Sequence, residues 1–241
     1  MSASRLPGKP LLKINDLPII SHVFNKAKKT NIGKVVVCTE DNEILEAVKK
    51  NGGEAVLTSD SHKSGSDRIL EGYKKLGINN ADYILNLQGD EPNIDENDII
   101  NLNNFMTNAN VDIGTLATEI SNPSDKTNQN VVKAIISDVD TKVTRNHKKS
   151  GRAIYFTRAP APGGIGPMWH HIGLYAFRRN ALEEFVALPV SPLEKREKLE
   201  QLRAIEAQMR IDIALVDTIP LGVDTPADLD QAEKIINQTE V

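Results

Sequence analysis

Apolar positions along the chain alternate between helical and extended periods. Ile19, Ile20, Val23, Phe24 and Ala27 recur at helical spacing, with Pro18 suited to a first turn. Residues 34–39 form a continuous apolar run of the kind buried on both faces of a sheet. Residues 42–51 carry Ile44, Leu45 and Val48 on one helical face and stop at Gly52-Gly53, and 55–58 is a short strand. Helix, strand, helix, strand predicts a parallel sheet with helices on its faces.

Beyond that opening, a helix is expected from the Ser64 region to about Leu76, a strand over 83–87 and a helix over 96–106. Residues 111–120 read as a strand weakened by Gly114, and 122–130 as a loop. Residues 131–137 and 153–158 are two strands joined by a solvated, lysine-rich segment that holds His147. Residues 158–169, rich in Pro and Gly, predict a loop or lid. Residues 170–177 alternate as a strand, with His171, Gly173 and Tyr175 on one face. Ser191-Pro192-Leu193-Glu194 has the form of a capping box and opens one long helix to about Met209. A last strand spans 211–217, and Thr225, Pro226 and Asp228 cap a final helix.

Chemistry concentrates where these elements end. Tyr83-Ile84-Leu85-Asn86-Leu87-Gln88-Gly89-Asp90-Glu91-Pro92 reads as a buried strand that Gly89 and Pro92 terminate. Ligands of open α/β sheets bind at the carboxyl ends of strands, which is where this reading puts Asp90. Asp90 is either a turn acid or one of the one or two carboxylates that Mg2+ takes beside phosphates. Asp224 has the same two readings, a loop acid or a ligand of the same ion. Arg5 and Lys9 flank Gly8 in a polar, Pro-broken segment. It is either a phosphate-binding loop, though not of the Walker type, or a basic terminus without structure. Ser64 reads as a helix cap or an anion site, and His62 as a surface residue. His171 and Tyr175, sharing a face, suit either a hydroxyl-rich or carboxylate ligand or a structural hydrogen-bonded pair.

The 241 residues, 39% hydrophobic and 26% charged, fit an ordered globular protein. A net charge of -4 argues against nucleic acid as a partner and means that an anionic substrate needs local cations. Cys38, the single cysteine, lies in an apolar run and reads as an inert thiol in a reducing compartment. With no apolar run of membrane-span length and no signal-peptide core, neither membrane insertion nor export is expected, and a cytoplasmic location is. No Gly-x-Gly-x-x-Gly follows a first strand, which disfavours a nicotinamide dehydrogenase.

Taken in order, several segments resemble the 3-deoxy-manno-octulosonate cytidylyltransferase family, the CMP-Kdo synthetases. They are Ser4-Arg5-Leu6-Pro7-Gly8-Lys9-Pro10-Leu11, Gly52-Gly53, Ser64-Gly65-Ser66-Asp67-Arg68, Asn86 to Pro92, Tyr155-Phe156-Thr157-Arg158-Ala159, His171-Ile172-Gly173-Leu174-Tyr175, Ser191 to Glu194, Leu199-Glu200-Gln201-Leu202-Arg203 and Gly222-Val223-Asp224-Thr225-Pro226. Each is weak alone; the ordered set covers nearly the whole chain.

The resemblance implies a single α/β cytidylyltransferase domain over 1–241. Its fold would be a Rossmann-like, mostly parallel sheet with helices on both faces, of the nucleotide-diphospho-sugar transferase type. A small β region near 150–180 would serve a homodimer and the sugar pocket. It implies transfer of CMP from CTP to Kdo, with Mg2+ as cofactor, for lipopolysaccharide synthesis. Arg5 and Lys9 match the triphosphate-binding cations and Asp90 and Asp224 the Mg2+ carboxylates. Gln88, Arg158, His171, Tyr175, Glu200 and Gln201 match the sugar pocket, and Ser64 and Arg68 the nucleotide's surroundings.

Two departures stand out. The family opens with an apolar strand and Pro-Ala-Arg that this chain lacks. A sheet without that strand is expected to be poorly stable and weakly active. The segment after Arg158 has no Arg or Asp before Trp169, so a charged contact from it is in doubt. Alternatives are a cytidylyltransferase for a related nonulosonic or 8-amino octulosonic acid, and an inactive nucleotide-binding protein.

Overall fold

A computed structural model describes residues 6–239 except 63, 79, 109 and 141–148. Arg5 and His147 therefore lie outside the described residues. The chain divides into two compact units: residues 1–79, 87–100 and 219–241, and residues 80–86 and 101–218.

The first unit opens with a 3-10 turn, Lys9–Leu11, entered through Gly8 at φ 68°. A two-residue hairpin follows, β1 (Lys13–Ile14) and β2 (Leu17–Pro18), closed by Asn15 and Asp16, both at positive φ. Such a turn matches strand twist and favours Asn and Asp; the sequence reading missed it. Helix α1 (Ile19–Lys29) buries Ile19, Ile20, Val23, Phe24 and Ala27, the stripe its spacing predicts. Strand β3 (Val37–Thr39), helix α2 (Asn42–Lys50) and strand β4 (Ala55–Leu57) make a right-order strand–helix–strand unit with parallel pairing. Asp41 caps α2 by accepting from the Glu43 N–H (2.7 Å). Helix α3 (Gly65–Lys75) is capped by Ser64. The carboxyl-terminal helix Pro226–Thr239 completes the unit. Ile14, Ile19, Val223, Ala232 and Ile236 form one buried core, with Leu6, Leu12, Leu221 and Leu229 against it.

In the second unit, six strands form one sheet in the order β5-β9-β6-β10-β8-β7. They are β5 (Tyr83–Asn86), β6 (Ile113–Glu119), β7 (Lys133–Asp140), β8 (Ser150–Thr157), β9 (Trp169–Arg178) and β10 (Ile211–Leu215). Helix α4 (Glu96–Asn108) precedes β6, and the short helix α5 (Pro123–Thr127) lies in the stretch expected to be loop. Helices α6 (Arg179–Ala187), α7 (Pro192–Glu197) and α8 (Leu202–Glu206) lie between β9 and β10. Gly114 does not weaken β6 so much as admit a neighbour: a Cβ there would meet Met106 Sδ at 2.5 Å.

Four expectations are corrected. The six-stranded sheet is mixed rather than mostly parallel: among its described pairings β6–β10 alone is parallel, while ten-residue β9 inserts antiparallel to both β5 and β6. Local order predicts parallel crossovers, but a long strand returning from afar is invisible to it. β5 is a half-buried strand paired with β9 alone among the described residues, not a fully buried one. The expected six-residue strand over 34–39 reduces to β3, half-buried and paired with β4 alone among the described residues. The single helix from Ser191 breaks at Lys198, which adopts φ 57°, so that α7 and α8 are separate. No helix among the described residues is long and apolar enough to cross a membrane.

Candidate active site

The first unit brings three charged residues together from three segments. Lys9 Nζ forms ion pairs with Asp90 Oδ2 and, at 2.9 Å, with Asp224 Oδ1. The packing beneath explains the meeting. Leu6 and Leu12, which flank Lys9 in sequence, and Leu221 and Val223, beside Asp224, join the same apolar core. The Val223 N–H donates to the Asp90 carbonyl at 3.0 Å, stitching the second and third segments together. Gly89 lets its segment approach α1, since a Cβ there would sit 2.9 Å from Ile20 Cδ1.

The helix cap frees Asp224 for this role. Asp228 Oδ2 accepts from the N–H groups of Asp224 (3.1 Å) and Thr225 (2.8 Å), while Thr225 Oγ1 accepts from the Asp228 N–H. The Asp224 carboxylate is thus not consumed in capping. Partial burial pulls the Lys9 ammonium down, but the two carboxylates outweigh it and hold its pKa above the ordinary lysine value. Burial, then the neighbouring Asp90 charge, pushes the Glu91 carboxyl up to about 7, and Glu91 Oε2 is buried with no hydrogen-bond partner among the described residues. Two convergent carboxylates are a weak site for a soft or imidazole-seeking metal. Among the described residues no cluster of three or more His, Cys, Asp or Glu could hold an ion. Two hard oxygen donors do fit Mg2+, which takes one or two carboxylates and completes its shell with phosphates and water.

The other candidate residues of this unit are also placed. Ser64 Oγ accepts from the Asp67 N–H (3.2 Å), the ordinary capping role. Arg68 ion-pairs with Glu40 and donates to Thr58 Oγ1 (2.7 Å), so its charge is already partnered. His62, expected as a surface loop residue, is partly buried and bonded to Glu71. Gln88 is half-buried in the same unit.

Five sugar-side candidates lie in the second unit. His171 and Tyr175 do share a face, with ring centroids 5.4 Å apart, inside a row running Phe156, His171, Tyr175, Phe177, Phe185. Burial drives the Tyr175 phenol well above its ordinary pKa, and the Glu200 charge adds to this. Gln201 is buried and its Nε2 has no hydrogen-bond partner among the described residues. Arg158 donates from Nε to the Glu197 carbonyl (3.1 Å) and from Nη1 to the Gln129 carbonyl (3.0 Å). Neutral carbonyls hold this guanidinium in place without cancelling its charge.

Two supporting residues escaped the sequence reading. Glu197 accepts from Thr157 Oγ1 (3.1 Å) and the Arg158 N–H (3.0 Å), fixing the end of β8. Lys133, fully buried, donates to the carbonyls of Asn128 (2.5 Å) and Val131 (2.8 Å), and burial lowers its pKa. A lysine inside the apolar run Val131-Val132-Lys133-Ala134-Ile135-Ile136 was a legible signal; Glu197 offered none.

Comparison with known proteins adds independent information. The family model described as cytidylyltransferase matches residues 1–211. A 3-deoxy-manno-octulosonate cytidylyltransferase of Rhodopseudomonas palustris (strain HaA2) is 52% identical, over 98% of this chain and 94% of its own length. That of Rhizobium etli (strain CIAT 652) is 52% identical over 98% and 92%. The solved structure of CMP:2-keto-3-deoxy-manno-octonic acid synthetase complexed with CTP superposes with TM-score 0.87 at 35% identity, covering 98% of this chain and 94% of that one.

Proposed function

Because the chain belongs to the cytidylyltransferase family, we infer that it transfers CMP from CTP to 3-deoxy-D-manno-octulosonate (Kdo), releasing pyrophosphate and forming CMP-Kdo. The anomeric hydroxyl of Kdo attacks the α-phosphorus and forms a new O–P bond. The α–β anhydride bond breaks, pyrophosphate leaves with its electron pair, and the hydroxyl proton passes to solvent. Such a transfer needs positioning and charge neutralisation rather than a covalent nucleophile.

The roles follow from the residues' chemistry. Lys9 and Arg5 offset the triphosphate charge. Asp90 and Asp224 hold Mg2+; their meeting on a single ammonium is the observation that carries this assignment. Bound there, Mg2+ would neutralise the charge that builds on the leaving pyrophosphate. Ser64 and Arg68 lie on the nucleotide side. Gln88, Arg158, His171, Tyr175, Glu200 and Gln201 take the sugar acid. The orphaned amide of Gln201 and the uncancelled charge of Arg158 support this, since a polyhydroxy carboxylate satisfies both.

In this reading the product serves lipopolysaccharide assembly in the cytoplasm. The enzyme works as a homodimer through the region near 150–180, where Ile154 on β8 leaves an exposed aliphatic side chain. The deciding experiment measures pyrophosphate release with Mg2+ and Kdo across CTP, UTP and ATP. Release with CTP alone is expected. No release with CTP, or equal release with all three, overturns the reading, and turnover of an amino-substituted acid in preference to Kdo points to the related substrate.

A further inference from the structure

Thr115 sits fully buried in the middle of β6, where the β6–β9 register slips between Thr115 and Leu116. On β9 the partners of these two residues are Tyr175 and Ile172, so Gly173 and Leu174 of β9 drop out of the regular pairing. The slip crowds three groups around one hydroxyl. Thr115 Oγ1 lies 2.8 Å from the Leu174 carbonyl oxygen, 3.1 Å from the Ile172 carbonyl oxygen and 3.1 Å from His171 Nε2.

A threonine hydroxyl has one proton to give. Both carbonyls are acceptors only, and two oxygens 2.8 Å apart with no proton between them repel. The Thr115 proton therefore goes to a carbonyl, and its lone pair faces His171. Nε2 must then be the donor. The ring itself is neutral, since it is buried, and burial with the neighbouring His170 drives its pKa down to about 3. A neutral imidazole with hydrogen on Nε2 has a bare lone pair on Nδ1.

We propose that Thr115 is a positioning residue that locks His171 as the Nε2–H tautomer, so that His171 Nδ1 accepts a hydroxyl proton from the sugar acid and disfavours a carboxylate at that point. The proposal rests on the reading that His171 lines the sugar pocket, and it narrows it. An acceptor-only group set against the Nδ1 lone pair would leave both unpaired and repelling, whereas a hydroxyl satisfies it. The carboxylate of the sugar acid must then be met elsewhere. Arg158, whose guanidinium donates to two carbonyls among the described residues, is the group suited to it.

The test uses nitrogen NMR of the free protein labelled at histidine, together with Thr115→Val and Thr115→Ser. Wild type and Thr115→Ser are expected to show a pyrrole-like Nε2 and a pyridine-like Nδ1 at His171. Thr115→Val, which removes the acceptor, is expected to mix or reverse the two. The KM for Kdo should rise roughly tenfold in Thr115→Val, the loss of about one hydrogen bond, with the KM for CTP unchanged and Thr115→Ser near wild type. A protonated Nδ1 in the wild type overturns the proposal, as does a Thr115→Val protein with wild-type tautomer or wild-type KM. If Thr115→Val does not fold, the wild-type and Thr115→Ser spectra still decide. The spectra need no substrate, so they separate this proposal from the activity: an enzyme inert toward CTP and Kdo sinks the function and leaves the tautomer measurement intact.

Discussion

Among the described residues, Asp90 and Asp224 share a single counter-ion, the Lys9 ammonium. Two carboxylates on one cation leave an unbalanced negative charge, which favours a divalent ion over a second lysine. Neither acid holds the fold together through its carboxylate: Asp90 contributes its carbonyl to Val223, and the Asp224 side chain is 63% exposed. Asp90→Asn and Asp224→Asn should therefore each cut turnover at saturating CTP by about a hundredfold or more, with little change in Tm. Wild-type turnover in either variant would remove the carboxylates from the mechanism.

Lys9 has two jobs in this scheme that compete. In the free protein it neutralises the carboxylates; with nucleotide bound it is needed as a point charge against phosphate oxygens. Lys9→Met should therefore bind Mn2+ more tightly than wild type in the absence of nucleotide, as read by paramagnetic resonance titration. The same substitution should lower kcat/KM for CTP by about a hundredfold. Unchanged or weaker Mn2+ binding would show that Lys9 does not compete with the ion.

The local half of this architecture was legible in sequence. The Thr225-Pro226-Ala227-Asp228 cap appears as expected, and it is the cap that leaves Asp224 free. The α1 stripe and the pairing of His171 with Tyr175 on one face are likewise as the periodicity predicts. What escaped was set by distant partners. Nothing near β9 announces that it will part β5 from β6, and nothing near Glu197 announces that Thr157 and Arg158 will fold onto it. The break at Lys198 escaped for a related reason. A left-handed lysine is locally unfavourable and persists where the fold around it over-determines it.

The helix pair around that break depends on one buried ion pair. Arg203 donates to Glu194 from Nε at 2.9 Å and from Nη2 at 2.6 Å, and its guanidinium lies 5.0 Å from the centre of the Phe185 ring. Glu194 also closes the α7 capping box with Ser191. Removing Arg203 deprives the largely buried Glu194 carboxylate of its bidentate partner, and removing Glu194 leaves the Arg203 guanidinium facing the more distant Glu200 at 3.9 Å. Arg203→Met or Glu194→Gln should each cost about 3–5 kcal/mol by denaturant unfolding. The double replacement should cost less than the sum of the two, since the Arg203–Glu194 contact can be lost only once. Additive losses would mean the pair is not coupled.

His171 gives stability a pH dependence of definite sign. Burial, and secondarily His170, hold its folded-state pKa at about 3 against an ordinary value of 6.5. Between those values the unfolded chain binds a proton that the folded chain refuses. The His171 contribution is therefore complete above about pH 6.5 and is lost as pH falls toward 3, at about 1.4 kcal/mol per pH unit for one proton. Burial lowers His170 in the same direction, which steepens the slope. Other carboxylates join in below about pH 5, while Glu91, whose folded carboxyl is pushed up to about 7, adds an opposing slope shared by wild type and variant; the histidine effect is therefore read as the difference between the two between about pH 5 and 6.5. Unfolding free energy measured by urea titration across that window should fall with acid in the wild type. His171→Gln, which keeps a group able to donate to Thr115, should remove about one proton's worth of the slope. An equal slope in the variant would mean that His171 titrates in the folded protein much as it does in the unfolded chain.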